Sequence, residues 1–90
     1  MACIDQDSLT QYEQDAKGGR ADALYNLGLA YSTGQDVAPD FVVAHKWFNL
    51  AASRGVEDAK RWRNQIAEEM NPGQIAQAQK LAREWLKLFQ

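Results

Sequence analysis

The groups with which this chain could do nucleophilic or acid–base chemistry are few: one imidazole, His45, one thiol, Cys3, and the hydroxyls of Ser8, Ser32 and Ser53. A serine nucleophile needs a base within hydrogen-bond reach. The three serines fall at cap, helix-end or exposed positions, so no triad assembles around His45. His45 lies on the flank of a helical run, between core and solvent, where it reads as a partly buried structural histidine, with a ligand or base as the alternative. A zinc site needs more than one His and one Cys, and the acidic residues lack the alternating spacing of a calcium loop. Glu68 and Glu69 suggest paired acids, but adjacent residues on a helix point about 100° apart and would not converge on one bond. They read as a solvated face. The glycines of GGRADALYNLG follow no strand and match neither phosphate-binding order. KRWRN, residues 60–64, has the look of a nucleic-acid stripe, yet Glu57, Asp58, Glu68 and Glu69 offset its charge, and helical spacing places Trp62 on a core face. No catalytic residue, cofactor site or metal ligand is assigned.

The elements around these residues are helical. Between Gly19 and Gly55, Ala23, Leu27 and Tyr31 recur every fourth residue, and Ala44, Trp47 and Ala51, with flanking Phe48, follow the three-and-four rhythm of a second helix. The spacing predicts helices near 21–33 and 40–54. Between them Gly34 supplies a turn with positive φ, and Pro39 lacks the amide hydrogen needed to continue the first helix. Asp40 follows and can cap the second helix by accepting an amide of its first turn. In this α-hairpin Gly28 and the alanines let the backbones approach, and Trp47 fills the space between them.

The hairpin resembles the Sel-one-like repeat, a relative of the tetratricopeptide repeat. The resemblance is carried by Gly19, Ala21, Ala23, Leu27, Gly28, Tyr31, Gly34, Val37, Asp40, Ala44, Trp47, Ala51, Ala52 and Gly55. One departure is Asp36, where the family usually shows a second glycine in the turn; aspartate tolerates the left-handed region better than most residues. The resemblance implies a right-handed superhelix whose concave face binds a protein or peptide. With Ala23, Leu27 and Tyr31 turned toward the second helix, Asp22, Tyr25, Asn26 and Leu29 fall on the opposite side, which the family places on that concave face. Tyr25 and Leu29 have a second reading, in which a preceding helix covers them.

Gly19 and Gly55 stand 36 residues apart, as do Ala23 and Ala59, so a second copy begins; Arg63 and Asn64 then replace Leu27 and Gly28. A half-copy suits a terminal repeat, whose outer face meets water. Ala59, Trp62, Ile66 and Met70 give it one apolar face over a helix of about 57–70. Upstream, Ser8 starts a capping helix that Gly18 and Gly19 end. Downstream, Asn71, Pro72 and Gln74 form a capping box for a helix over 72–89. Its apolar stripe is Ile75, Ala78, Leu81, Ala82, Trp85, Leu88 and Phe89, and Leu86 widens it. Paired with the repeat before it, this tail resembles that of some small bacterial members of the family.

The whole reads as an all-α, short right-handed α-α solenoid of about five helices in one domain. Residues 8–18 are an N-terminal capping helix, 19–55 a full repeat, 56–70 a degenerate half repeat and 71–90 a C-terminal capping helix. A hydrophobic content of 46% excludes disorder, and a net charge of −2 with interspersed signs gives no field for nucleic acid or an anionic membrane. No basic-then-apolar leader precedes Cys3, which points to the cytoplasm. The chain reads as a monomer or weak homodimer, and three functional readings stand: a non-enzymatic adaptor holding a protein or peptide through Asp22, Tyr25, Asn26 and Leu29; a structural self-associating module dimerising through Trp85, Leu86 and Phe89; and, from analogy with relatives credited with hydrolysis, a small hydrolase.

Overall fold

The structure is a computed structural model and describes residues 6–34 and 37–89. The expectations that fall on Cys3 and Asp36 lie outside the described residues. Five helices follow in order: α1 (Gln6–Lys17), α2 (Ala21–Thr33), α3 (Phe41–Ser53), α4 (Glu57–Ala67) and α5 (Pro72–Phe89), with no strand among the described residues.

Local chemistry accounts for most of the boundaries. α1 and α3 end in the same motif. Gly19 donates to the Ala16 carbonyl and Arg20 to Asp15, and Gly55 donates to Ala52 and Val56 to Ala51. These paired bonds satisfy the last carbonyls of each helix, and they require the positive φ of Gly19 and Gly55, 92° and 95°. Asp40 caps α3, accepting from the Val43 amide at 3.2 Å. Asn71 and Gln74 make the reciprocal box ahead of α5, at 3.0 and 2.8 Å. Two boundaries differ from expectation. α1 begins at Gln6, so Ser8 lies within it and not ahead of it. α4 stops at Ala67, not 70, because no glycine closes it and Pro72 pushes the residue before it toward an extended backbone. Glu68, Glu69 and Met70 leave the helix through a run of i→i−3 bonds.

α3 is the central element and packs against α2, α4 and α5; α1 packs on α2. Gln74 at the start of α5 lies beside Asp40 and Phe41 at the start of α3, and Trp85 further along meets Trp47, so the two helices run the same way. α1 ends near the end of α3, where Arg54 donates to the Gly19 carbonyl at 3.1 Å, and near the end of α5, where Lys17 sits 5.5 Å over the Phe89 ring. α1, α3 and α5 therefore form one layer, and α2 and α4, running the opposite way, form the other. This is an all-α helical-repeat solenoid.

Between the layers the closest contact is Gly28 against Phe48: a Cβ on Gly28 would lie 2.5 Å from two carbons of the Phe48 ring. Phe48, Leu24, Leu27 and Leu50 are the largest fully buried side chains. The ring wedged against α2 is thus Phe48 and not Trp47. Trp47 points away from that seam and meets Trp85 of α5 edge-on, with ring centroids 5.8 Å apart. Consecutive helical positions diverge by about 100°, which sends the two rings to different neighbours. The stripe on α5 is also rotated from its expected position: Leu88 is 75% exposed, whereas Leu86 packs against the core.

His45 is the one buried polar residue of the core, 4% exposed, and its Nδ1 finds no partner among the described residues. Burial holds its pKa below the ordinary 6.5, and the Arg63 guanidinium acts in the same direction. The folded chain thus keeps the ring neutral where the unfolded chain would protonate it. Two outcomes are expected. Gly28→Ala, which would gain about 1 kcal/mol of helix propensity on an open helix face, should instead destabilise by roughly 1–3 kcal/mol through overpacking on Phe48, read from urea midpoints. Stability should fall as pH drops below about 6.5, down through the lowered folded value, and the decline should flatten in His45→Gln, measured as denaturation midpoint against pH.

Candidate protein-binding face

The α2–α4 layer presents one large aromatic to solvent. Trp62, expected on the core face of α4, is 38% exposed. It lies at the edge of the core: its ring is nearly parallel to Phe48, 14° between planes and 6.4 Å between centroids, and its Nε1 donates to the Tyr25 hydroxyl at 3.1 Å. The Tyr25 ring in turn tilts against Phe48 at 5.9 Å. Gly28, Phe48, Tyr25 and Trp62 thus form a chain of contacts from the closest point of the core to the surface. Tyr25 does not point away from α3. It occupies the seam where α2, α3 and α4 meet.

The other residues expected on this face are distributed differently. Asp22 is exposed and held by Arg20 through two hydrogen bonds, at 3.2 and 3.0 Å, which lower its pKa and raise that of Arg20. Asn26 is half-buried, and Leu29 packs against the core while its carbonyl accepts both the Ser32 and Thr33 hydroxyls, at 3.0 and 2.8 Å. Trp62 was missed as a surface residue; its offset of 36 from Asn26, a position placed on this face, was the available signal.

At one end of the layer, where α2 and α4 finish and α3 begins, lies a cavity of about 300 Å³ lined by Ser32, Thr33, Phe41, Trp62, Gln65, Ile66, Glu68 and Glu69. Glu68 and Glu69 were expected to diverge on a helix. α4 stops at Ala67, Glu68 and Glu69 sit in the turn that follows, Glu68 still with helical backbone angles, and both border the same cavity.

Several of the remaining groups that could do chemistry are held by the fold itself. The Ser32 and Ser53 hydroxyls donate to carbonyls of their own helices. Arg63 of the KRWRN run donates to Asn49 at 2.9 Å, and Arg61 pairs with Asp58 at 3.0 Å. Lys46 lies 4.2 Å over the Trp47 ring, and its partial burial lowers its pKa against the pull of Glu13. Among the described residues no three of His, Cys, Asp and Glu gather as a metal-binding group, and no helix is long and apolar enough to cross a membrane. On α5, Trp85 is 6% exposed between Trp47 and Phe89, Phe89 is half-buried 5.0 Å from it under Lys17, and Leu86 is half-buried.

Comparison with known proteins agrees with this architecture. The model of the Sel1 repeat matches residues 21–56, the span of α2, α3 and the glycine stop after them. Among solved structures, the crystal structure of a protective antigen present in uropathogenic Escherichia coli strains, displaying an SLR fold, is similar with a TM-score of 0.86 and 25% sequence identity over 93% of this chain. This chain spans 18% of that one. A search of curated proteins finds no match. The small residues and glycine stops that set the α2–α3 packing lie within the matched segment, and the two-layer arrangement extends beyond it through α1, α4 and α5: the chain is an all-α helical-repeat solenoid in which residues 21–56 match the Sel1 repeat.

Proposed function

We propose that the chain is a non-enzymatic interaction scaffold that binds a protein or peptide on its α2–α4 face, the concave side of the solenoid. The observation that carries this reading is the exposed indole of Trp62, held by a stack on Phe48 and a hydrogen bond to Tyr25. A large aromatic fixed in advance loses little conformational freedom on binding, and tryptophan, tyrosine and arginine dominate interface energetics for that reason. Asn26 and Asp22 add polar groups on α2, Asp22 already paired with Arg20, and Leu29 packs against the core beneath that helix. Self-association through α5 has less support, since Trp85 is already enclosed by the fold.

Selection of displayed random 12-residue peptides on the immobilised chain tests this. Recovered binders should weaken by about tenfold or more on Trp62→Ala, and less on Tyr25→Phe, with circular dichroism unchanged. Binders indifferent to Trp62→Ala and Asn26→Ala would place the binding surface elsewhere.

A further inference from the structure

The cavity at the end of the α2–α4 face has a consistent electrostatic character. We infer that it takes the cationic side chain of an arginine on the bound partner, an inference that rests on the α2–α4 face being the binding face.

Four features support this. Ser32 and Thr33 both donate their hydroxyl hydrogens to the Leu29 carbonyl, so toward the cavity their oxygens offer only lone pairs. Glu68 and Glu69 border the same space as carboxylates, and no lysine or arginine lines it. The two arginines of α4 are directed elsewhere, Arg61 to Asp58 and Arg63 to Asn49 and Asn64. The C-terminal ends of α2 and α4 both finish here, and helix C-termini carry partial negative charge. The N-terminus of α3, which would oppose them, is capped by the Asp40 carboxylate. The walls are aromatic: Trp62, and Phe41 at 36% exposure. A planar guanidinium matches this lining on each count, stacking on indole while its five N–H groups reach acceptors around its edge. A carboxylate-bearing or purely apolar side chain would leave the acceptors unpaired; of the lining side chains only Gln65 and Trp62 bring N–H donors, and that of Trp62 is given to the Tyr25 hydroxyl.

The test is a titration of the ¹⁵N-labelled chain with the blocked tripeptide acetyl-Gly-Arg-Gly-amide and with its neutral citrulline counterpart. The Trp62 indole N–H signal is assigned by its loss in Trp62→Phe. The arginine peptide should shift that signal saturably and bind about fivefold more tightly than the citrulline peptide, the difference expected from a cation over indole beside carboxylates. It should also weaken by a similar factor in the Glu68→Gln, Glu69→Gln double variant, whose exposed positions leave folding intact. Equal binding of the citrulline peptide, unchanged affinity in the double variant, or an unmoved Trp62 signal would overturn the inference. Such a result would leave the binding face itself to the Trp62-dependent displayed peptides, which are selected without regard to charge.

Discussion

The absence of a side chain at residue 28 is the constraint on which the rest of this structure depends. With only hydrogen there, the α2 backbone comes against the Phe48 ring, and that approach sets the separation of the two layers. Phe48 is fully buried, yet it also touches Tyr25 and stacks on Trp62. A core contact therefore fixes the height and tilt of the surface aromatic. Interiors are close-packed, so a displacement of Phe48 could not be absorbed silently and would be passed to the rings resting on it. In this fold the packing of the repeat and the placement of its exposed indole are one problem.

α3 sets a second limit. Ala44, His45, Trp47, Phe48, Leu50 and Ala51 are all buried, because α2, α4 and α5 each take a share of the helix circumference. A helix so enclosed has little to offer a partner. It also holds a neutral imidazole and an indole N–H, His45 Nδ1 and Trp47 Nε1, without hydrogen-bond partners among the described residues, which costs stability that the surrounding apolar contacts offset. The exposed indole of Trp62 belongs instead to α4, one of the helices that α3 supports.

What could be read from the sequence was what short-range chemistry determines. Gly19, Gly34 and Gly55 require backbone conformations that other residues avoid, Asp40 meets an amide three residues away, and Asn71 and Gln74 satisfy one another. Such features need no knowledge of distant neighbours. Periodicity likewise located the helices and the hairpin. It did not assign partners to side chains next to one another on a helix. Trp47 and Phe48 belong to one apolar stripe, and only the positions of α2 and α5 decide which ring meets which. Trp62 fits the rhythm of Ala59 and Ile66, but α2 is near enough to cover only part of it, and the Tyr25 hydroxyl draws its N–H to the rim. Leu86 and Leu88 exchange burial for the same reason, a matter of where α5 lies across α3. The cavity was invisible because it depends on where the ends of α2 and α4 meet the start of α3.

The meeting of Lys17 with Phe89 has a consequence for how the chain comes apart. Repeat arrays ordinarily fray from their termini, each unit leaning only on the one beside it. Here the first and last helices touch, and Arg54 ties the end of the third to the turn after the first. Opening either end of the stack therefore also breaks a contact with a helix that is not its neighbour along the chain.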